Sequence, residues 1–241
     1  MKPMNTSISF AKSSSSRHVH VKSGVLAALV GAVAVCGANA DPITLVAGTA
    51  YIAPTGHLDL TNEGLVLRDG ATAGRYGVYN GYITTGLYNG PGGYWDGPGI
   101  NSSVAAAQTI TAIGILNNAD VGYTNFLGVA VLSSDILIRY TYFGDIDLNG
   151  VVDAVDYSLI NAGFGTSGGG WISGDLDYNG TVDAVDLSLI NPSFGAPQLP
   201  GTVGLADGGG KKSSLVVPEP ASLGLLMIGA LGLLGRRRKS A

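Results

Sequence analysis

Two stretches of the chain place carboxylate and amide side chains at alternate positions, as a metal site built from oxygen ligands requires. Residues 144–164 read GDIDLNGVVDAVDYSLINAGF and residues 174–194 read GDLDYNGTVDAVDLSLINPSF, with 15 of 21 positions identical. After its first glycine, each stretch has oxygen-bearing side chains at loop positions 1, 3, 5, 9 and 12 and a glycine at position 6. Hard cations such as Ca²⁺ bind about six to eight oxygens drawn from flexible loops. The pattern therefore predicts two calcium ions, one in each loop.

The two loops offer equivalent sets of ligands. The predicted ligands of the first ion are Asp145, Asp147, Asn149, Val151, Asp153 and Asp156. The predicted ligands of the second ion are Asp175, Asp177, Asn179, Thr181, Asp183 and Asp186. Position 7, Val151 or Thr181, would bind through its backbone carbonyl, and position 9 often binds through water. We also expect the apolar residues at position 8, Val152 and Val182, to form a small strand bridge with each other.

The acidic loops suit calcium better than zinc, magnesium or no metal at all. Residues 144–194 contain no Lys or Arg, so their carboxylates would repel one another without a cation. Zinc is disfavoured because no Cys or His is nearby, and magnesium suits the loops less well because it demands a tight octahedron. The alternative without a metal is that the aspartates only cap two helices, since Asp is favoured at helix N-caps.

The residues around each loop predict one helix after it and none before it. Residues 154–161 and 184–191 carry an apolar stripe at helical spacing, and Pro192 should end the second helix near Asn191. Residues 135–143 are β-branched and aromatic, which predicts a strand before the first loop. Residues 165–174 are glycine-rich, which predicts an irregular segment before the second loop.

Two such loops with Asp at position 12, each followed by one helix, resemble the type I dockerin. The resemblance covers residues 144–194 and implies one calcium ion per loop and docking onto a cohesin domain. It assigns cohesin contacts to loop positions 10 and 11, which here are the apolar residues Ala154, Val155, Ala184 and Val185. The expected fold class is therefore mixed, with a small β-rich N-terminal module followed by an α-helical, dockerin-like pair of calcium loop–helix (F-hand) repeats.

The region upstream of the loops is rich in Gly and Tyr and predicts short strands. The predicted strands are residues 43–46, 58–60, 64–67, 112–116, 129–132 and 136–142. Residues 73–85 predict either a poor helix or a tyrosine-lined loop. Residues 94–107 (YWDGPGINSSVAAA) resemble a region near the C-termini of exported planctomycete proteins. This resemblance does not indicate an activity.

No catalytic site is predicted in this upstream region. The acids Asp59, Glu63 and Asp69 and the neighbouring His57 are the candidates, but acids at strand ends and turns are usually solvated, and no activated serine accompanies the histidine. Trp95 and the tyrosines are more often packing residues than sugar-stacking ones.

The charge of the chain excludes one class of partner. Residues 41–210 have three arginines against 16 acids, a net charge of −13. Nucleic-acid binding needs clustered cations that neutralise phosphates. We therefore expect no nucleic-acid partner, and the acidic surface favours a cationic ligand.

The N-terminus resembles a secretory signal peptide over residues 1–40. Lys2, Lys12, Arg17 and Lys22 form a basic region, residues 25–35 are apolar, and residues 38–40 (Ala-Asn-Ala) supply a small-x-small cleavage site. The single cysteine, Cys36, lies in the part that would be removed. The mature chain would then lack both a disulfide and a thiolate nucleophile.

The C-terminus resembles the PEP-CTERM sorting signal, over about residues 216–239. It has Pro218-Glu219-Pro220, an apolar stretch at 221–234 and a basic cluster at 236–239, in that order. The resemblance implies recognition by an exosortase. An apolar helix of this length spans only about 21 Å, short of the roughly 30 Å hydrocarbon core. We therefore expect a marginal transmembrane segment and a transient membrane association.

Together these features predict an exported, non-catalytic, calcium-binding protein of the cell surface, outer envelope or extracellular matrix. The predicted organisation is a signal peptide (1–40), a β-rich module of unknown function (41–143), dockerin-like calcium-binding repeats (144–194), a flexible Gly/Pro linker (195–217) and a sorting signal (218–241). One alternative is an adaptor that docks onto a cohesin-type scaffold. Another is an accessory protein or hydrolase of polysaccharide catabolism, and extracellular polysaccharide is a further possible partner.

Overall fold

The computed structural model describes residues 5–12, 15–22, 27–30, 33–36, 43–47, 49–52, 54–68, 75–87, 94–201 and 203–205. Its strands are β1 (Asn5–Lys12), β2 (Ser15–Lys22), β3 (Ala27–Val30), β4 (Val33–Cys36), β5 (Ile43–Ala47), β6 (Thr49–Ile52), β7 (His57–Asp59), β8 (Gly64–Leu67), β9 (Gly99–Asn101), β10 (Thr111–Asn117), β11 (Tyr123–Phe126), β12 (Val129–Ala130), β13 (Ile136–Tyr142) and β14 (Val203–Leu205). Its helices are α1 (Arg75–Leu87), α2 (Ser103–Ala106), α3 (Asn118–Val121), α4 (Ala154–Gly163) and α5 (Ala184–Ile190). Two 3₁₀ turns occupy Trp171–Ser173 and Asn191–Ser193.

The strand that leads into the first loop, β13, lies inside the largest sheet. This sheet has the order β10-β13-β8-β5-β4, and β13 pairs antiparallel with both of its neighbours. All seven residues of β13 are buried, which matches its run of β-branched and aromatic side chains. The prediction of a strand at residues 136–142 is confirmed, and so is the prediction at residues 64–67, which form β8.

The remaining strands form three smaller sheets. Their orders are β1-β2-β7-β9, β12-β11-β14 and β3-β6. Residues 1–40, the predicted signal peptide, contribute β1 to β4 in the full-length chain. Its cleavage stays a prediction.

Residues 73–85, for which helix and loop were both open, form the helix α1 over Arg75–Leu87. The helix buries Tyr79, Ile83 and Leu87 on one face, at the i, i+4, i+8 spacing of a helix that packs along one side. Its glycine Gly86 lies so close to Ile100 of β9 that a Cβ would stand 2.0 Å from the Ile100 carbonyl oxygen. Because glycine has no Cβ, α1 can pack directly on a strand at this position.

The prediction of an α-helical repeat pair that follows a separate β-rich module is wrong. The described residues are β-rich, and the repeats contribute only short helices, of 10 residues in α4 and 7 residues in α5. Helices of this length are not stable without tertiary packing. Their buried residues Ile160 and Ile190 therefore join the same apolar cluster as the strands.

The predicted ends of the two repeat helices agree closely with the structure. The first helix begins at Ala154 as predicted and extends to Gly163. The second ends at Ile190, where the 3₁₀ turn Asn191–Ser193 takes over, so the effect predicted for Pro192 is confirmed. The apolar stretch predicted at residues 221–234 lies outside the described residues. Among the helices that are described, none has the length and apolar character needed to span a membrane.

Candidate metal centre

The first loop brings three carboxylates together. One carboxylate oxygen from each of Asp145, Asp147 and Asp156 lies within 4.8 Å of the other two. Asp145 and Asp156 are fully buried, and Asp147 is half-buried. Asp156 follows Asp145 by eleven positions in the sequence, so the chain must fold back on itself to form this cluster.

The second loop repeats this cluster with Asp175, Asp177 and Asp186. Their carboxylate oxygens also lie within 4.8 Å of one another, with the same pattern of burial. The two loops are therefore the same local structure formed twice by equivalent residues 30 positions apart.

Backbone hydrogen bonds hold the last aspartate of each loop over the first residues. The Ile146 amide donates to Oδ1 of Asp156 at 2.8 Å, and the Asp153 amide donates to Oδ2 of Asp156 at 2.9 Å. In the second loop the Leu176 amide donates to Oδ1 of Asp186 at 2.7 Å. These bonds also make Asp156 part of a capping box at the start of α4. One side chain thus joins the loop to the helix that follows it.

The sharp turn within each loop requires left-handed backbone conformations. Gly150 has φ +90° and Gly180 has φ +92°, a region that glycine enters without steric cost. The amide of Gly150 donates to Oδ2 of Asp145 at 2.9 Å, and that of Gly180 donates to Oδ2 of Asp175 at 3.1 Å. The backbone of each loop therefore turns at the glycine of position 6.

Each cluster contains one buried carboxylate oxygen that has no hydrogen-bond partner within the described part of the chain. These atoms are Oδ1 of Asp145 and Oδ1 of Asp175, and both side chains are more than nine-tenths buried. Buried polar groups in proteins are almost always paired, because an unpaired one loses its hydration without compensation. An unpaired carboxylate oxygen inside a carboxylate cluster is a suitable ligand for a cation.

The electrostatics of the loops also favour a cation. Burial raises the pKa of Asp145 to about 7, although nearby Arg139 opposes this shift. Burial likewise raises the pKa of Asp156 to about 7 and that of Asp175 to about 6. A positive ion among these groups would stabilise their ionised forms.

The two predicted asparagine ligands make equivalent contacts, each with the aspartate two positions before it. Asn149 donates through its side-chain amide to Oδ2 of Asp147 at 3.1 Å, so its side chain borders the first cluster. Asn179 makes the equivalent contact with Asp177 at 2.9 Å. Its Oδ1 also accepts a hydrogen bond from the Thr181 amide.

The predicted ligands at position 9 act as helix caps. Asp153 accepts a hydrogen bond from the Val155 amide at 2.7 Å, and Asp183 accepts one from the Val185 amide at 2.7 Å. The capping role that the sequence offered as an alternative to metal binding is therefore present at position 9. At position 7, Val151 and Thr181 would bind a metal only through their backbone carbonyls.

Residues outside the two repeats supply contacts to the first loop that the repeat pattern did not reveal. Thr141 of β13 donates to Oδ2 of Asp145, and the indole of Trp171 donates to the Asp145 carbonyl at 2.8 Å. The Tyr123 hydroxyl donates to the Asp147 carbonyl at 2.9 Å. These residues lie outside the repeated positions, so comparing the two loop sequences could not identify them.

Arg139 of β13 lies behind the first loop with almost no exposed surface. Its guanidinium donates to the carbonyls of Leu148 and Pro200 at 3.2 and 3.1 Å. Residues 144–194 contain no Lys or Arg, so the repeat pattern did not reveal this cation, which the neighbouring strand brings to the loop. The first cluster thus has a fixed positive charge nearby.

The expected bridge between Val152 and Val182 is replaced by a reciprocal arrangement. The Val152 carbonyl accepts a hydrogen bond from Gly195 at 3.1 Å, and the Val182 carbonyl accepts one from Gly165 at 2.8 Å. Gly165 follows α4 and Gly195 follows α5. Each loop therefore pairs with the segment after the other repeat's helix, which ties the two repeats together.

The upstream acids considered for catalysis have structural contacts. Oδ1 of Asp59 accepts hydrogen bonds from the amides of Thr61 and Ser103, both at 2.9 Å. Nδ1 of His57 lies 3.1 Å from the side-chain amide nitrogen of Asn101. Glu63 is buried next to β8, and Asp69 lies outside the described residues. The hydrogen bond from the Ser103 amide to Asp59 connects β7 to the start of α2.

The comparisons with known proteins concern the C-terminus. Residues 216–239 match the PEP-CTERM protein-sorting motif, the same residues for which the sequence predicted this resemblance. No curated protein and no solved structure matches the chain. The chain thus carries the sorting signal of an exported protein that is processed by an exosortase for the cell surface or envelope.

Proposed function

We propose that this exported protein binds two Ca²⁺ ions, one in each loop, and that the ions stabilise a non-catalytic cell-surface or matrix protein. The observation that carries the proposal is the unpartnered, buried Oδ1 of Asp145 and of Asp175, each within a cluster of three carboxylates. A cation in each cluster would pair these oxygens and offset the repulsion among the aspartates.

The ligand chemistry favours calcium over other cations. Both clusters consist of oxygen donors alone, which suits a hard cation and not zinc or copper. Two carboxylates and an asparagine in each loop stand at alternate positions around a glycine turn, and this flexible arrangement suits calcium better than the strict octahedron of magnesium. Calcium is commonly millimolar outside cells, so sites of modest affinity would be occupied.

The ions would act on the fold through Asp156 and Asp186. Each of these residues belongs both to a carboxylate cluster and to the first turn of a helix. Binding would therefore connect the loop, the helix and the sheet that contacts the loop. In this proposal calcium is a structural ion, and metal binding contributes directly to the free energy of folding.

Isothermal calorimetry of the full chain with calcium tests this function. We expect two ions per chain, one ion for Asp156→Ala, one ion for Asp186→Ala, and no binding for the double variant. Asp120→Asn removes an exposed acid from α3, outside both loops, and should leave the stoichiometry at two. An unchanged stoichiometry in the double variant would refute the ligand assignment.

A second candidate function is docking onto a cohesin-type protein. Val155 and Val185, at loop position 11 of the two repeats, leave 53 % and 52 % of their surfaces exposed. Paired exposed apolar residues at equivalent positions suit a protein contact. We expect a purified cohesin domain to bind the calcium-loaded chain and to be released by chelator. Retained binding by a Val155→Asp, Val185→Asp double variant would contradict this role.

A further inference from the structure

An open cavity of about 430 Å³ lies beside the second loop. Aromatic and apolar side chains form much of its wall, including Leu87, Tyr94, Trp95 and Phe143, and Asp177 of the second loop also lines it. Its volume is within the range of about 300–1,000 Å³ that is typical of ligand pockets. Tyr94 leaves 66 % of its surface exposed, so a flat aromatic side chain is available at this cavity.

A smaller, polar cavity of about 180 Å³ shares Trp95 and Ala106 with the first cavity. Its other lining residues are His57, Asp59, Asp96, Asn101 and Ser103. The two cavities thus combine an aromatic surface with a group of hydrogen-bonding side chains. This combination is typical of sites that bind amphipathic small molecules.

Trp95, which lines both cavities, has an unusual backbone and an unused hydrogen-bond donor. Its φ of +65° lies in the left-handed region that bulky residues rarely adopt, and such conformations cluster at ligand sites. Its indole Nε1 and the side-chain Oδ1 of Asn101 are buried, and neither has a hydrogen-bond partner among the described residues. The lining therefore includes residues with one unused donor and one unused acceptor.

These groups define the chemistry of the occupant. Within the described part of the chain, no Lys or Arg lines either cavity, which disfavours an anionic ligand. The carboxyl oxygens of Asp59 and Asp96 can accept hydrogen bonds, and the Ser103 hydroxyl can also donate one, so a ligand that both donates and accepts suits this cavity. An ammonium group cannot accept, whereas a hydroxyl does both. A sugar ring adds an apolar C–H face that suits the Tyr94 ring.

We propose that the two cavities form one binding site for a neutral saccharide, with a sugar ring in the polar cavity and the neighbouring ring against Tyr94. The saccharide hydroxyls bind the carboxylates and amide of the polar cavity. The apolar face of the next sugar covers the exposed tyrosine. The site lies outside both carboxylate clusters, apart from Asp177.

The second loop contacts the residues of this site. We infer that calcium in this loop stabilises the site, and this part of the proposal rests on the proposed calcium function. Tyr178, between the ligands Asp177 and Asn179, contacts the Trp95 ring edge-on with centroids 6.5 Å apart. It also stacks on Trp171 at 5.5 Å and donates to the Ile113 carbonyl at 2.6 Å. Calcium in the second loop therefore fixes Tyr178 and Asp177 at the cavity. Saccharide and calcium binding should then be coupled and reciprocal.

Nuclear magnetic resonance of the two indole N–H groups tests the site directly. The chain has only two tryptophans, so each indole signal is assignable with one substitution, and Trp171 already donates to the Asp145 carbonyl. Cellohexaose, laminarihexaose and mannohexaose are titrated to millimolar concentration into the calcium-loaded full chain. We expect at least one of them to shift the Trp95 signal and to leave the Trp171 signal in place.

Two matched pairs of variants locate the binding. Tyr94→Ala should weaken saccharide binding by about tenfold, whereas Tyr51→Ala, another exposed tyrosine that lines neither cavity, should not. Asp186→Ala should weaken binding by about 5- to 150-fold, the usual range of such coupling. Asp156→Ala, its equivalent in the first loop, should weaken saccharide binding less, because no residue of the first loop lines either cavity.

The outcomes separate this proposal from the calcium function. If none of the oligosaccharides shifts the Trp95 signal, or if only a neutral peptide such as tetraalanine does, the saccharide site is wrong even when calorimetry finds calcium bound. If a saccharide binds equally well with calcium and with chelator, the site stands and the coupling is wrong. If calorimetry finds no calcium binding while the saccharide still shifts the Trp95 signal, the calcium function and the coupling fail and the saccharide site stands.

Discussion

Gly144, immediately before the first loop, packs against Ile190 in the helix of the second repeat, where a Cβ on the glycine would lie 2.4 Å from Cγ1 of the isoleucine. Gly174, immediately before the second loop, packs in the same way against Ile160 of the first repeat, with a distance of 2.6 Å. Each loop thus begins on the helix of the other repeat. The two repeats depend on each other and on the sheet that carries them.

Replacing Gly144 by alanine should destabilise the fold. The added Cβ would overlap Ile190, and the φ of +96° is unfavourable for any residue with a side chain. Overpacking of this kind costs about 1–3 kcal/mol. Urea denaturation should therefore give a lower free energy of unfolding, and Gly174→Ala should have a similar effect.

Gly165→Ala is the matched control for that substitution. Gly165 also has a positive φ, of +81°, but a Cβ there would have no neighbour within 4 Å. Its cost should be limited to the backbone term of about 1–2 kcal/mol. Equal destabilisation by Gly165→Ala and Gly144→Ala would show that the contact with Ile190 contributes nothing.

Calcium should raise the thermal stability of the chain. A ligand that binds only the folded state at 100 times its dissociation constant adds about 2.7 kcal/mol to the free energy of unfolding. Differential scanning calorimetry with calcium and with chelator measures this effect. Asp156→Ala or Asp186→Ala should retain roughly half of the gain, and an equal melting temperature in both conditions would contradict a structural ion.

Thr141→Val should weaken calcium binding in the first loop. The substitution keeps the shape of the side chain and removes the hydroxyl that donates to Oδ2 of Asp145. We expect a loss of about 1 kcal/mol of binding free energy, measured by calorimetry in an Asp186→Ala background so that only the first loop binds. Thr111→Val is the control, because the Thr111 hydroxyl is equally buried but has no partner in the described part of the chain. A loss in both variants would exclude a specific role for Thr141.

The metal-free chain should become less stable as the pH rises from about 4 to about 7. Burial raises the pKa of Asp145 and of Asp156 to about 7, above the value of about 3.9 in an unfolded chain. The folded state therefore binds more protons in this range, and the free energy of unfolding falls with increasing pH. Urea titrations of the dialysed chain across the range measure the slope. A stability that increases with pH in the absence of metal would contradict the burial of these carboxyls.

Much of the candidate site could be predicted from sequence because it is local. Alternate residues before the loop glycine, Asp145 and Asp147, point to one side of the turn. Asp156, the last position of the loop, lies in the first turn of α4. The helix that begins at Ala154 and the strand at residues 136–142 depend on short-range periodicity, and both are present in the structure. The sorting motif at residues 216–239 is a linear signal, so it is also readable without a fold.

The sequence by itself therefore determined the duplicated loops, their candidate ligands and the C-terminal sorting motif. Only the tertiary structure decided that the repeats do not form a separate helical domain, because helices as short as α5 must bury Ile190 against other elements. It also decided that Arg139 contacts Pro200 and that Trp95 contacts Tyr178. Contacts between residues so distant in sequence depend on how strands and loops pack, and no local pattern encodes them.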